Sequence, residues 1–274
     1  AMTRRIQQLE GHLNARLFDR VGRQVHLTDA GKLLEPRARS LLSGLADARR
    51  AIGNLDEQVA GTLKLATSHH IGLHRLAPVL KQFSRQFRDV QLDIRFEDSE
   101  AAHDLVRRGD SELAVVTLNP AGDPDLATAA LWDDKLCFVA ASDHPLSHGK
   151  PDHRPLDLAE LARHPVILPD LATYTGRIVA GLFEAEQIPL TATLSTNYLE
   201  TISMLVSIGL GWSVLPGSLT ADLTILETTA PAIGRELGWV TNPQRTLSSA
   251  ANAFIEVLKA RVDPRLAGRQ PLTF

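Results

Sequence analysis

Apolar residues between positions 30 and 59 recur at alternating steps of four and three. The series is Leu34, Ala38, Leu41, Leu45, Ala48, Ile52, Leu55 and Val59. This spacing is the repeat of a coiled-coil seam. Because one helix cannot bury such a stripe alone, the pattern predicts a coiled-coil linker helix over residues 30–59 that pairs with a second subunit. The predicted dimer contacts are Leu34, Leu41, Leu45, Ile52 and Leu55.

The segment before this helix has a helical pattern followed by a turn. Its apolar positions share one helical face over residues 4–18, namely Ile6, Leu9, Leu13 and Leu17. A glycine turn then separates two extended pieces, which predicts a small β-hairpin. Thr28 is suited to cap the N-terminus of the long helix, and Asp29 adds negative charge to its first turn.

Strand and helix patterns alternate after residue 60. Predicted strands cover 62–67, 91–97, 113–116, 136–142, 166–168, 212–215 and 236–241. Predicted helices cover 73–87, 101–108, 156–162, 174–186, 199–207 and 247–262. This order predicts an α/β fold with right-handed βαβ units on a mostly parallel sheet.

Composition and charge narrow the class of protein. The 274 residues are 44% hydrophobic and 22% charged, which is ordinary for a globular chain with one large or two modest cores. No apolar stretch approaches the roughly 20 residues that span a bilayer, and one cysteine, Cys137, excludes an intrachain disulfide. No signal peptide pattern opens the chain, so we expect a cytoplasmic protein.

Positive charge is concentrated at the front of the chain. Net charge is only -3, but residues 1–39 hold eight Arg or Lys and four acids. Basic and amide side chains on an exposed helix beside a basic hairpin suit phosphate and base-edge contacts in DNA. The alternative is a solvated amphipathic helix with no partner.

Four short motifs in this front segment carry a family resemblance. A Thr-Arg pair opens the helix, followed by Ile-x-x-Leu-Glu at 6–10, Leu-Phe-x-Arg at 17–20 and Leu-Thr-x-Ala-Gly at 27–31. In this order they resemble the recognition helix and wing of LysR-type transcriptional regulators, and the likeness continues over essentially the whole chain. In that family further helices of the winged helix-turn-helix come before this segment, so we expect either that the sequence is part of a longer chain or that the protein lacks a complete winged helix-turn-helix. The residues it places against DNA are Thr3, Arg4, Arg5, Gln7, Gln8 and Arg23.

The same resemblance divides the chain into domains. Residues 1–29 correspond to the rear of the DNA-binding domain, and 30–59 to the linker helix. The rest is similar to a two-lobed effector domain of the kind seen in periplasmic solute-binding proteins. Lobe I is expected over 60–132 and 236–274, and lobe II over 133–235.

A ligand is expected in the cleft between these lobes, beyond the carboxyl ends of the strands. Helix N-termini with free N–H groups and hydroxyls favour anions, so a small carboxylate is the expected effector. Ser68, His70 and Thr201 match effector-contacting positions in the family, although simple helix capping explains Ser68 and Thr201 equally well. The full set of predicted effector residues is Thr67, Ser68, His69, His70, Asn119, Thr173, Tyr174, Arg177, Asn197 and Thr201.

Enzymatic and metal chemistry have weaker support. His70 and His74 stand four residues apart and could ligate a metal, but no cysteine lies near them and the nearest upstream acids fall in the linker helix. No Ser-His-acid set stands out. We therefore expect no metal, no cofactor and no catalytic residue.

The resulting prediction is a transcriptional regulator that binds promoter DNA and a small-molecule effector. Like its family, it would dimerise through the linker helix and form a homotetramer through the effector domains. Effector binding would shift the arrangement of the subunits. The competing hypothesis is a stand-alone solute-binding or ligand-sensing module without a DNA role.

Overall fold

The computed structural model describes residues 2–22, 24–56, 58–148 and 154–263. The chain forms two compact units, Ala1–Leu55 and Asp56–Phe274. The first unit contains α1 (Met2–Leu13), β1 (Phe18–Val21), β2 (Gln24–Leu27) and α2 (Asp29–Gly53). Strands β1 and β2 pair antiparallel around a turn at Gly22, as the sequence predicts. Among the described helices, none is long and apolar enough to cross a membrane.

Residues of the front motifs hold the first unit together. The Glu10 carboxylate accepts a hydrogen bond from the Leu17 N–H at 2.7 Å, which ties α1 to the start of the hairpin. Thr28 caps α2, since its hydroxyl oxygen accepts from the Gly31 N–H at 3.1 Å and its O–H donates to the Arg16 carbonyl at 2.6 Å. A Cβ on Gly31 would lie 2.2 Å from the Leu17 carbonyl oxygen, so only glycine fits there.

The predicted linker helix is too long. Helix α2 ends at Gly53 with Asn54 as its C-cap, so Leu55 and Val59 lie beyond it. Gly and Asn are weak helix formers, and here they outweigh an apolar repeat that continues past them. Leu41, Leu45 and Ile52 are 77%, 52% and 68% exposed, whereas Leu34 is half-buried. The apolar stripe of α2 is thus largely uncovered in a single chain.

The second unit alternates strands and helices. Its strands are β3 (Gly61–Thr67), β4 (Val90–Phe96), β5 (Leu113–Thr117), β6 (Ala127–Ala140), β7 (Ile167–Leu168), β8 (Leu194–Ser195), β9 (Ser213–Pro216), β10 (Thr224–Ile225) and β11 (Ile233–Thr241). Its α-helices are α3 (His69–Ile71), α4 (Ala77–Gln86), α5 (Ser99–Arg108), α6 (Leu158–Leu161), α7 (Tyr174–Ala185), α8 (Leu199–Ser207) and α9 (Ser249–Lys259). A π-helical segment, Gly72–Leu76, joins α3 to α4, and short 3-10 turns cover Pro145–His148 and Gly217–Leu219.

Seven strands form one mixed sheet, which corrects the prediction of a mostly parallel one. The order is β10-β6-β11-β5-β3-β4, with β9 also paired to β6. Only β3 pairs in parallel, with β4 and β5, whereas β11 runs antiparallel to both β5 and β6. The long strands β6 and β11 lie side by side in opposite directions and carry the sheet through both halves of the unit. A separate pair, β7 and β8, is parallel.

Separate apolar clusters among the described residues give this unit its two lobes, with two clusters in each lobe. The main core of the first lobe packs around Phe83 and Phe254, whose ring centroids are 5.0 Å apart. The main core of the second lobe packs around Trp212, which contacts Phe138 and Phe183 and donates its indole N–H to the Leu161 carbonyl at 2.9 Å. On β6 the first core ends at Trp132 and the second begins at Leu136; on β11 the change falls between Ile233 and Leu237.

Candidate effector cleft and family membership

A cavity of about 220 Å³ opens between the two lobes. Lobe I lines it with residues at or just after the carboxyl ends of β3, β4 and β5: Ser68, His69, His70, Phe96, Glu97, Asp98, Ser99, Glu100 and Thr117. Lobe II adds Pro169, Thr173, Tyr174, Thr175, Asn197, Tyr198 and Leu199, and β11 adds Arg235. The cavity therefore lies at strand ends and helix starts, where loops leave backbone N–H groups available.

Six of the ten predicted effector residues line this cavity: Ser68, His69, His70, Thr173, Tyr174 and Asn197. The other four do not. The Thr67 hydroxyl is buried and donates to the Val115 carbonyl at 2.7 Å. Asn119 braces a turn by donating to the Gly122 carbonyl at 2.7 Å, Arg177 is exposed over the Tyr174 ring, and Thr201 is exposed on α8.

The two hydroxyl residues at helix starts differ in what they bind. Thr173 caps α7, because its oxygen accepts from the Gly176 N–H at 3.0 Å while its O–H donates to the Asp170 carbonyl at 2.6 Å. Ser68 precedes the helical run 69–86, and its side chain caps none of that run's N–H groups. The Ser68 hydroxyl is therefore free of the capping role that the sequence left open for it.

Carboxylates of lobe I reach lobe II across the cleft. Asp98 accepts a hydrogen bond from the Asn197 side-chain amide at 2.6 Å. Glu100 accepts one from the backbone N–H of Tyr174, the first residue of α7. The positive end of α7 is thus already matched by a negative side chain of the protein.

Arg235 is a cleft residue that the sequence analysis missed. Its side chain is 5% exposed, its Nε donates to Asp134 Oδ2 at 2.9 Å, and its Nη1 donates to the Thr175 hydroxyl at 2.7 Å. Burial lowers the pKa of the guanidinium and Asp134 opposes that shift, so the group stays charged. Nη2 is buried and has no hydrogen-bond partner among the described residues. A signal was present, because Arg235 falls between Ile233 and Leu237 on the alternating apolar face of β11.

Glu200 is the second missed residue. Its Oε1 lies 3.1 Å from His70 Nδ1 and 3.0 Å from His74 Nε2, and its Oε2 lies 3.5 Å from His69 Nδ1. Burial alone would raise the pKa of Glu200. Hydrogen bonds from His70 and from the backbone, together with the nearby His69, outweigh burial and lower this pKa to about 2. The acid that the sequence analysis sought near these histidines therefore comes from α8, 126 residues after His74.

Tyr174 forms part of the cleft wall with a neutral phenol. Its hydroxyl lies 3.5 Å from His103 Nδ1, and that nitrogen lies 2.6 Å from Asp123 Oδ2. Burial raises the pKa of Tyr174 to about 12, and the negative charges of Asp123 and Glu100 act in the same direction. The Tyr174 hydroxyl keeps its proton over the physiological pH range.

Comparison with known protein families identifies both units. Residues 56–263 match the LysR substrate-binding domain. Residues 1–32 match the bacterial regulatory helix-turn-helix of the lysR family. The chain belongs to the LysR family of transcriptional regulators.

Individual LysR relatives agree in sequence and in fold. The chain is 26% identical to the HTH-type transcriptional regulator YfeR of Shigella flexneri over 98% of its own length and 87% of that protein. The effector-binding domain of QuiR in complex with shikimate superposes with a TM-score of 0.63 at 20% identity, covering 73% of this chain and 95% of that one. A full-length OxyR variant from Pseudomonas aeruginosa superposes with a TM-score of 0.66 at 24% identity, covering 92% of this chain and 82% of that one.

Four of the six predicted DNA-contacting side chains of this LysR-type regulator are exposed. Arg4, Arg5, Gln7 and Gln8 all lie on the open surface of α1. Thr3 belongs to α1, but its side chain is outside the described part of the structure. Arg23 lies outside the described residues altogether.

Proposed function

We propose that this LysR-family protein controls a target promoter in response to a small carboxylate bound between its lobes. The observation that carries the proposal is Arg235, whose buried Nη2 has no partner among the described residues. A buried charged donor left unpaired is costly, and a carboxylate oxygen would satisfy both its charge and its hydrogen bond. We take residues 60–132 and 236–274 as lobe I and residues 133–235 as lobe II. The change of core along β6 and β11 supports this division.

The size and charge of the cavity restrict the effector further. A volume of about 220 Å³ is below the ~300–1,000 Å³ typical of pockets for drug-sized ligands, so the effector is small. Glu97, Asp98 and Glu100 stand in the same cavity and repel a second negative charge. These features favour a monocarboxylate with hydroxyl or ammonium groups, held by Arg235 and the free Ser68 hydroxyl.

A thermal-shift screen of organic acids, hydroxy acids, shikimate and amino acids tests this proposal. A ligand specific for the folded state at 100 times its Kd adds about 2.7 kcal/mol to the free energy of unfolding. Ser68→Ala should weaken binding of the hit by about tenfold, the value of one hydrogen bond. Thr201→Ala, outside the cavity, should bind like the wild type. Stabilisation by organic cations or apolar amines alone would contradict the proposal.

The DNA-binding part of the proposal rests on α1 and α2. Arg4, Arg5, Gln7 and Gln8 would contact DNA together with Thr3 and Arg23, in the cytoplasm where promoters are found. The exposed apolar stripe of α2 would join two chains, and dimers would associate into a homotetramer. The match of residues 1–32 to the family's helix-turn-helix favours this function over a stand-alone ligand sensor, and relatives named as regulators favour it over an enzyme.

An electrophoretic shift with the full gene product and its own promoter region tests DNA binding. The fraction of DNA bound should fall steeply as salt rises, because phosphate contacts release counterions. Arg4→Ala with Arg5→Ala should weaken binding and reduce the salt dependence. Arg154→Ala, an exposed arginine of lobe II, provides the matched control and should leave binding unchanged. Salt-insensitive binding, or none, would exclude the regulator function.

A further inference from the structure

Three side chains from the two lobes converge on one point beside the cleft. His70 and His74 come from the helical run 69–86 of lobe I, and Glu200 comes from the first turn of α8 in lobe II. One ligating atom from each of the three lies within 4.8 Å of the others. We propose that these residues bind a divalent transition-metal cation, with Zn²⁺ as the best match and Co²⁺ and Ni²⁺ as substitutes. This proposal is independent of the carboxylate effector.

The spacing already suits a metal. Ligand atoms at bonds of ~2.0–2.2 Å in tetrahedral geometry stand ~3.3 Å from each other. The Glu200 Oε1 lies 3.1 Å from His70 Nδ1 and 3.0 Å from His74 Nε2. A cation between Glu200 Oε1 and either histidine requires those two atoms to separate by only a few tenths of an ångström. All three ligand atoms lie within 4.8 Å of one another, so small side-chain adjustments bring the two histidine nitrogens to one cation.

The backbone of lobe I brings the two histidines together. Their ring centroids are 4.7 Å apart. The π-helical segment Gly72–Leu76 follows His70 and contains His74. Its wider turn brings side chains four residues apart closer to alignment than an α-helix does. Such π-segments are rare, and they are frequent at functional sites. The distortion thus falls at the position where it presents both imidazoles to α8.

The hydrogen bonds within the protein leave this cluster incompletely satisfied. His70, which faces Glu200 through its Nδ1, is 4% exposed. The buried Oε2 of Glu200 has no hydrogen-bond partner among the described residues. Only histidines lie within ion-pair distance of this carboxylate in the described structure, and no Lys or Arg does. A bound cation would supply the positive charge that the carboxylate lacks.

The donor atoms determine which metal fits. Two imidazole nitrogens and one carboxylate oxygen, with no thiolate, suit borderline cations such as Zn²⁺, Co²⁺ and Ni²⁺. Mg²⁺ and Ca²⁺ prefer sets made of oxygen ligands and are disfavoured. A fourth position is left for water or for His69, whose Nδ1 is 3.5 Å from Glu200 Oε2.

The position of the site links metal binding to lobe closure. Two ligands belong to lobe I and one to lobe II, so all three meet only when the lobes are closed as they are here. A cation that binds this arrangement better than an open one shifts the equilibrium toward closure. The metal would therefore hold the two lobes together, beside the cavity that His69 and His70 line.

The test uses the untagged full chain, stripped of metal with a chelator and titrated with Zn²⁺ by calorimetry near neutral pH. One Zn²⁺ should bind per chain and raise the Tm, Co²⁺ should give the visible absorption of a four-coordinate site, and Mg²⁺ should do neither. His74→Ala and Glu200→Gln should each lose at least ~100-fold in Zn²⁺ affinity, since even the loss of an outer-shell partner costs ~10–100-fold.

A second histidine pair provides the matched control. His144 and His164 have ring centroids 5.5 Å apart but belong to no group of three potential metal ligands among the described residues. His164→Ala should bind Zn²⁺ like the wild type, and the metal-free Tm of every variant shows whether it is folded. Absence of saturable Zn²⁺ binding, or binding retained in both folded cluster variants, would overturn the proposal. Carboxylate and DNA binding are measured on metal-free protein, so their outcome is separate.

Discussion

Glycine positions in α2 show how single residues decide local stability. A Cβ at Gly31 would lie 2.2 Å from the Leu17 carbonyl and 2.9 Å from a Leu27 methyl, whereas one at Gly44 meets nothing within 4 Å. Gly31→Ala should therefore lower the free energy of unfolding of the first unit by ~1–3 kcal/mol through overpacking. Gly44→Ala should raise it by ~0.5–1 kcal/mol, because alanine is the better helix former.

Hydrogen exchange of the α2 amides measures both effects directly. Protection should fall in Gly31→Ala and rise in Gly44→Ala. Equal changes in the two variants would mean that the close approach of Gly31 to the hairpin does not constrain the first unit.

The raised pKa of Tyr174 gives a second prediction for a single residue, which an alkaline titration tests. Its pKa is raised from 10.0 to about 12, so the folded state holds the proton more tightly than the unfolded state. The stability this provides is fully present below pH 10 and is lost as pH rises toward 12. The chain has two tyrosines, so in Tyr198→Phe the tyrosinate absorbance reports Tyr174 alone. Half-titration of the folded variant near pH 10 would contradict the buried environment.

The exposed apolar stripe of helix α2 gives a prediction for that helix as a whole. Leu45→Glu places a charge in the exposed apolar stripe and should shift the chain toward monomer in sedimentation, because an unpaired charge in a dimer contact is costly. Ser40→Glu, on the opposite face of the same helix, is the control and should leave the oligomeric state unchanged. An unchanged state in Leu45→Glu would place the dimer contact elsewhere.

Elements with a strong local pattern could be predicted from the sequence. The hairpin turn, the Thr28 cap and helix α5 are local features, and each forms where its pattern indicates. The first half of β6 was missed because its alanines have low strand propensity and pair only through the distant strand β11. The π-segment at 72–76 has no local sequence signal.

The candidate site follows the same division. Ser68, His69, Thr173 and Asn197 could be placed because they follow strands or begin helices. Glu200 and Arg235 acquire their partners only through tertiary contacts, with His70 and Asp134 respectively. A sequence read in local windows does not contain that information.

At the scale of the whole effector domain, one sheet passes through both lobes. Because β6 and β11 contribute to both cores, a substitution that destabilises one lobe should also destabilise the other. Trp212→Ala should cost ~3–5 kcal/mol as a large-to-small substitution in a core. We expect a single calorimetric transition at lower temperature for residues 56–274, not the loss of lobe II alone. Ile225→Ala, at an exposed position, should leave the Tm nearly unchanged.

The contact between Glu100 and the start of α7 also determines where a ligand can compete. Glu100 is attached to the same chain as the Tyr174 N–H that it binds, and such tethering gives an effective concentration on the order of millimolar. A free carboxylate at micromolar concentration cannot displace it. Glu100 thus occupies the N–H group at the start of α7, and an incoming anion is left with the donors of Arg235 and Ser68.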